Sequence, residues 1–398
     1  MGKTFDIIIV GGGVIGSSVA YNLVNDGFEG RIAVFEKDPS YEQSSTTLCV
    51  GMIRRQFSTE VNIRLCQYSL SIYREFGERM EVKGERPEIE FKPRGSLFLG
   101  NQKNWSLLVK HQHLQRSLGV ETQLLNAAET LQVIPNLNLE GIVGSSFCSG
   151  DGYMDPYSVL QGYVRKAKDL GVQYIYQEAV SILKEGDRVV GIRTKDGATY
   201  VSPCVVNTAG PYAGEVGKMA RVEIPIVPVR RMVYLFQPPR FFEYDLPLVL
   251  DTTGVYFRHE AGRRILVGKS RIEEPPGFNF TCDRDYFNEV IWPEIAFRVP
   301  LFNKLKLIRG WAGLYEINQW DKNAIIGEHP MVPGFFMAVG FSGHGFQQAP
   351  AVGKALSELI RMGRYKSVDV SPLGYERIQE GKKVLEDEVV GDSISCAS

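Results

Sequence analysis

A chain of 398 residues, 44% of them hydrophobic, is long enough for two or more domains with substantial cores. Its 45 Lys and Arg against 46 Asp and Glu leave a formal net charge of −1. That balance argues against nucleic acid or an acidic membrane surface as the main partner. Six cysteines without a CxxC spacing argue against a zinc site or a disulfide framework and fit a reducing compartment. No bilayer-length apolar run is free of charges or glycine clusters, so no transmembrane segment is expected. No signal or transit peptide is read, since only Met1 to Thr4 precede the first strand, and the cytoplasm is the default location.

The first element is the run Asp6 to Val10, whose branched apolar residues predict a buried parallel strand. It ends in Gly11-Gly12-Gly13-Val14-Ile15-Gly16, and an amphipathic segment from Val14 to Leu23 follows. The second strand, Arg31 to Phe35, ends in Glu36, about 20 residues beyond Gly16. Strand, glycine turn, helix, strand and acid together predict dinucleotide binding. Gly11 permits the turn, Gly13 lets backbone approach a pyrophosphate, and Gly16 lets helix and strand pack closely. Glu36 accepts hydrogen bonds from a ribose diol and repels a 2′-phosphate, which leaves FAD and NAD.

Beyond Lys37-Asp38-Pro39 the polar loop Ser44-Ser45-Thr46-Thr47 either continues around the pyrophosphate or is a solvated linker. A helix is predicted from Thr59 to Met80, with Ile63, Cys66, Leu70, Tyr73 and Phe76 as its core face. Phe91 to Leu99 predicts a strand of a second sheet and Trp105 to Leu118 a helix. His111 and His113 read as exposed helix surface, with no third ligand for a metal. Asp155 as N-cap, Pro156 as first helical residue and Gly171 as stop frame another helix. Hairpin turns follow at Gly186-Asp187 and Asp196-Gly197, then a buried strand ending in Asn207-Thr208-Ala209-Gly210. From Val222 to Ile308 short β-type runs predict an antiparallel sheet carrying a helix from Arg284 to Ala296. Phe335 to Gly340 returns to the buried-strand style, followed by Phe341-Ser342-Gly343-His344-Gly345-Phe346 and a helix from Ala349 to Met362. The tail from Ser371 reads as an amphipathic, then polar, surface segment that frays at its end.

Residues 11–16, Glu36, Asn207 to Gly210 and Gly340 to Phe346 together resemble the FAD-dependent D-amino-acid oxidase, glycine oxidase and sarcosine oxidase superfamily. The resemblance covers nearly the whole chain and selects FAD over NAD. It implies an α/β chain with an α+β second domain. A Rossmann-like FAD domain would be built from residues 1–90, 145–221 and 320–370, and a mainly antiparallel substrate domain from 91–144 and 222–319, with 371–398 as a C-terminal extension. Within the superfamily, Gly51 to Ser58, Arg298 to Pro300, Trp311 to Tyr315 and Phe341 to Pro350 are most similar to a mitochondrial branch that assists assembly of respiratory complex I. That likeness implies a mitochondrial setting and assembly intermediates as partners.

By the same resemblance, Val14, Ile15, Glu36, Lys37, Ser44 and Ser45 line the ADP half, and Val180 offers a backbone contact near adenine. Ala209 and Gly210 lie against the pyrophosphate–ribityl stretch. Gly313, Leu314, Gly343, His344, Gly345, Phe346 and Gln347 border the isoalloxazine. The helix near Ala349 aims its N-terminus at the ring edge that gains negative charge on reduction. Arg54 matches a carboxylate-binding arginine, whereas Arg55, next along the chain, points elsewhere. Tyr315 touches substrate or simply packs, and Tyr256 and Arg258 are weaker candidates for the pocket wall. A titrating His344 would place positive charge near reduced flavin.

Four departures from the family pattern carry weight. Gly313 stands where some members bond flavin to cysteine, which implies non-covalent FAD. Tyr315 stands where glycine oxidase has a carboxylate-clamping arginine. Gln347 stands where monomeric sarcosine oxidase uses a lysine after His-Gly-Phe. Leu266 falls where an oxygen-activating lysine is expected, with Lys269 close by. The implied activity is removal of a hydride from the carbon beside an amine nitrogen to flavin N5. Its substrate would be a small carboxylate-bearing amine or N-alkyl amino acid, and electrons would pass to a carrier rather than to O2. The alternative is an FAD-binding assembly factor for complex I with little or no turnover.

Overall fold

The strand Ile7–Val10 lies at the centre of a six-stranded sheet, and all four of its residues are buried. The computed structural model describes residues 3–387. Across the sheet the order is Ile325–Glu328, Phe335–Val339, Val205–Asn207, Ile7–Val10, Ile32–Phe35 and Gln173–Ile175. All neighbours are parallel except the first pair. Because successive side chains of a strand point to opposite faces, one run fills two cores. Ile7 and Ile9 pack under the helices Val14–Asn25 and Gly345–Met362, while Ile8 and Val10 pack on the other face with Phe35, Val205 and Met337. The strand order reverses on either side of Ile7–Val10, so a crevice opens at its C-terminal end, where Gly11 begins the glycine turn.

A second, eight-stranded sheet runs Lys306–Asn318, Ile226–Gln237, Arg264–Gly268, Tyr256–Glu260, Leu248–Leu250, Ser96–Gly100, Gly144–Cys148 and Gln123–Asn126. Its pairing is antiparallel apart from Leu248–Leu250 beside Ser96–Gly100. Met232, Tyr234 and Phe236 bury one face against the helical stretch containing Phe287, Ile291 and Ile295. Val233, Leu235 and Leu266 face the other way, toward Val50, Met52, Tyr256 and Trp311. A smaller sheet carries Ala179–Glu185, Arg188–Thr194 and Thr199–Val201, joined at the two expected hairpin turns.

Several elements differ from the sequence expectation. The Thr59–Met80 helix is two helices, Glu60–Arg74 and Phe76–Arg79. The strand expected over 91–99 forms only at Ser96–Gly100; Lys92 instead bridges to Tyr153. The helix expected over 284–296 reaches Arg298 and includes a π-type turn, Phe287–Ile291. Ser44 caps a short helix, Ser45–Leu48, in the loop expected to be irregular. Gly144–Cys148 belongs to the eight-stranded sheet, although residues from 145 onward were expected on the nucleotide side.

The late helix starts at Gly345 rather than Ala349. Pro350 therefore lies inside the helix, where proline has no N–H to give to the carbonyl four residues back. Here that carbonyl, of Phe346, accepts a 2.6 Å bond from the Tyr73 hydroxyl, so the helix tolerates Pro350 inside it. His111 is not exposed: it is buried, and its Nε2 lies 3.2 Å from Asp387. The tail is more than a surface cover. Arg377 is buried in an ion pair with Asp321, and Glu386 accepts bonds from Ser58 N–H, Ser58 Oγ and Asn62. The expected fraying falls on residues 388–398, outside the described part.

Candidate active site

A cavity of about 910 Å³ opens at the C-terminal edge of the six-stranded sheet, at the upper end of the size expected of a small-molecule site. One end is lined by Phe35, Glu36, Lys37, Ser44 and Tyr176, the middle by Gly13, Ala209 and Gly210, and the other end by Leu314, Tyr315, Gly343 and Phe346.

The turn that shapes its middle depends on the absence of side chains. Gly11 has φ +105°, and a Cβ there would lie 2.4 Å from the Thr208 carbonyl oxygen. Thr208 closes the approach from its own side, its Oγ donating to the Gly11 carbonyl at 2.8 Å. At the helix start the Val14 N–H is taken by Thr46 Oγ1 at 3.2 Å. Among the described residues the N–H groups of Gly13 and Ile15, both lining the cavity, find no acceptor. Free donors at the positive end of a helix suit a diphosphate. Glu36 accepts from Gly12 N–H and Asp38 N–H, each at 2.9 Å. Burial raises its pKa, opposed by those bonds. One carboxylate oxygen accepts from each N–H, and each retains a lone pair for a ribose hydroxyl. Lys37 lies over the Tyr212 ring, 3.2 Å from its centroid, which stiffens the rim.

The far end is assembled from distant segments. Ser45 Oγ donates to the Leu314 carbonyl at 2.6 Å, and Trp311 Nε1 donates to the Leu48 carbonyl at 2.9 Å. These bonds pin the short helix to the long strand carrying Gly313 and Tyr315. Gly313 faces Leu48, and Tyr315 packs on Gly343, where a Cβ would come within 2.4 Å of the ring. Gly343 also has φ +100°, so no other residue suits that contact.

Arg54 and Arg55 have opposite fates. Arg55 Nε bonds Asp151 at 2.8 Å, with the carboxylate wholly buried. Arg54 makes no ion pair among the described residues. Its Nη1 donates to the Gln56 carbonyl, its Nη2 lies 3.5 Å from His344 Nε2, and its guanidinium stacks 4.0 Å from the Phe57 ring centroid. The Gln347 amide oxygen accepts the Arg54 backbone N–H at 3.0 Å. Burial and the neighbouring Arg54 cation hold the His344 pKa well below its usual value. The imidazole is therefore neutral near pH 7, and the expected positive charge at this position comes from Arg54 instead.

Most of the sequence-predicted residues meet at this cavity. Gly11, Gly13, Val14, Ile15, Glu36, Lys37, Ser44, Ser45, Ala209, Gly210, Leu314, Tyr315, Gly343, Gly345 and Phe346 line it. Gly12, Gly16, Gly313, His344, Gln347 and Arg54 are not among its lining residues. Val180 is 41% exposed beside Ala179, and Ala179 is the one that lines the cavity. Arg258 is committed elsewhere, to Glu260 and the Val50 carbonyl. Lys269 is tied to Glu294 at 2.6 Å, while Leu266 faces Val50 and Tyr256. Glu316 and Arg231 were not anticipated; Thr46 and Thr208 fall within motifs read from the sequence, without roles of their own. Arg231 had a readable signal, since it interrupts the apolar alternation Val229, Val233, Leu235 on one face of its strand.

The family model of FAD-dependent oxidoreductases matches residues 6–359, and the chain belongs to that family. It is accordingly an FAD-dependent oxidoreductase, related to amine and amino-acid dehydrogenases. It is 34% identical over 422 residues to FAD-dependent oxidoreductase domain-containing protein 1 of Xenopus laevis, covering 97% of this chain and 85% of that one. Rat mitochondrial dimethylglycine dehydrogenase is 27% identical across 93% of this chain, which spans 45% of that longer protein. The crystal structure of L-proline dehydrogenase from P. horikoshii superposes with a TM-score of 0.87 at 27% identity, covering 96% of this chain and all of that one. The free N–H donors of Gly13 and Ile15, the Glu36 carboxylate and a long cavity all fit FAD.

Proposed function

We propose that this protein oxidises a small amino acid with a substituted nitrogen, holds its FAD without a covalent bond, and passes electrons to a carrier more readily than to O2. The reading rests chiefly on Arg54, a guanidinium near the Tyr315 end of the cavity that makes no ion pair among the described residues, with the Glu386 and Asp151 carboxylates acting on it only from beyond contact. Bound FAD supplies a two-electron acceptor for the C–H bond beside the amine nitrogen. The chain's part is to fix that bond in place. Arg54 holds the substrate carboxylate, and Phe57 and His344 keep its guanidinium in one orientation. Gln347 anchors the Arg54 backbone. The N-terminus at Gly345, braced through Tyr73, presents its N–H groups to developing negative charge. Gly313 offers no thiol for a flavin bond, and Leu266 offers no ammonium for oxygen. The relatives named for dimethylglycine and L-proline fit a substrate of this chemistry.

The test is anaerobic bleaching of the oxidised flavin by sarcosine, dimethylglycine and L-proline, followed by admission of air. Bleaching by at least one, with slow reoxidation, is expected. Arg54→Ala should lower kcat/KM by roughly 10–100-fold, the worth of a charge-assisted carboxylate bond, with flavin content unchanged. Rapid reoxidation would end the dehydrogenase reading, and an indifferent Arg54→Ala would end the anchor.

A second reading, carried only by the resemblance of Gly51 to Ser58 and Phe341 to Pro350, is a role in mitochondria as an assembly factor for respiratory complex I. Complementation of a deletion separates the two. Full rescue by Arg54→Ala, with failure of Gly11→Ala, would mean that FAD binding matters and turnover does not.

A further inference from the structure

We propose that Arg231 is a second carboxylate anchor and that the substrate carries two carboxylates, one on each side of the reacting C–N unit, as in an N-(carboxyalkyl) amino acid. The proposal rests on the reading of Arg54 as the first anchor.

Arginines inside this protein are otherwise matched with acids. Arg230, Arg258, Arg298 and Arg377 are buried, and each is paired, with Glu274, Glu260, Asp251 and Asp321. Arg231, next to Arg230, is not paired among the described residues. Its Nη1 donates to the Arg230 carbonyl at 3.0 Å, and its Nε, shielded from solvent, has no acceptor. A buried donor left empty on a cation is costly unless a ligand fills it.

Position decides what the ligand is. Strand alternation puts Arg231 on the face with Val233 and Leu235, and its strand partner is Gly313. Its guanidinium carbon is 5.3 Å from the centroid of the Tyr315 ring. Tyr315 in turn packs on Gly343, and His344, the next residue, touches Arg54. Tyr315 thus lies within reach of two guanidinium charges from different segments, neither in an ion pair among the described residues. Both lower its phenol pKa against the rise caused by burial. One anion would neutralise one of them; two carboxylates on one small molecule would neutralise both.

Binding and turnover are measured separately. Thiodiacetate and methylthioacetate share a sulfur in place of nitrogen and differ by one carboxylate. Their affinities for the FAD-loaded protein are read from perturbation of the flavin spectrum. Thiodiacetate should bind at least 10-fold more tightly. Arg231→Met should erase that preference, and Arg231→Lys should keep part of it. Iminodiacetate should bleach the flavin with a kcat/KM at least 10-fold above that of sarcosine. Equal affinities, a preference that survives Arg231→Met, or an Arg231→Met whose only change is weaker flavin retention would overturn the proposal. If sarcosine bleaches the flavin as well as iminodiacetate, the two-carboxylate substrate falls while the oxidoreductase reading stands. If neither amine bleaches it but thiodiacetate still prefers wild type, the second anchor stands and the choice of amine falls.

Discussion

The two ends of the cavity use different materials. At one end the free groups are the main-chain N–H donors of Gly13 and Ile15, with one carboxylate, that of Glu36, beside them. At the sheet end Tyr315 lines the cavity, and side chains from separated segments gather near it: Arg54 on an early loop, Arg231 on the strand paired with that of Tyr315, His344 before the last long helix. Backbone donors are positioned by local geometry and cost nothing to orient. Side-chain cations must be held by packing, and they are tolerated without an acid only where a ligand or an aromatic face takes over. The difference suggests that the nucleotide end fixes what the protein carries and the sheet end fixes what it acts on.

The sharpest test contrasts Arg54 with Arg55. Asp151 is wholly buried, accepts from Arg55 and from Ser96 Oγ, and has no reason to touch a substrate. Asp151→Asn strands the Arg55 charge, and the expected loss of stability is about 3–5 kcal/mol, read by denaturant unfolding. A loss below about 1 kcal/mol would mean that internal arginines here do not need acids, and the significance given to the unmatched pair would go with it.

Gly11→Ala addresses the other end. Positive φ and a clash with the Thr208 carbonyl together predict destabilisation on the order of 3 kcal/mol and protein purified with little yellow colour. An alanine variant that keeps both its colour and its melting temperature would show that the turn does not set nucleotide binding.

What the sequence made legible follows the same division. The glycine turn, Glu36 and the strand before them are contiguous, so residue order already states their geometry. Arg54 was found only through family likeness, and composition gave no way to tell it from Arg55; Asp151, which separates them, lies far along the chain. Nothing local sets Arg231 apart from Arg230: Glu274, which pairs with Arg230, and Tyr315, which Arg231 faces, both lie far along the chain. The start of the late helix was misplaced because the Tyr73 hydroxyl, a tertiary partner, replaces the bond that Pro350 removes. Local rules fail where a distant residue supplies what the local chain lacks.

Glu316, which lines the cavity next to Tyr315 in sequence, gives the smallest predicted effect. Its carboxylate accepts the Gly340 N–H at 2.9 Å, and burial, only partly offset by backbone bonds from Gly340 and Phe341, pushes its pKa up to about 7. The unfolded chain would release that proton near the ordinary carboxylate value of about 4.3. Between the two values the folded state binds more protons, so its stability is greatest at the acid side and falls as pH rises towards 7. Glu316→Gln removes the titration and keeps an acceptor for Gly340. The variant should therefore show a flatter stability–pH curve over that window, and at pH 8 should exceed wild type by roughly 1–3 kcal/mol. Thermal unfolding of the flavin-loaded protein at pH 5 and pH 8 measures it. Parallel curves for the two proteins would show that Glu316 is already ionised at the lower pH, which would put a fixed negative charge beside Leu314 and weaken the case for an anion-binding site at Tyr315.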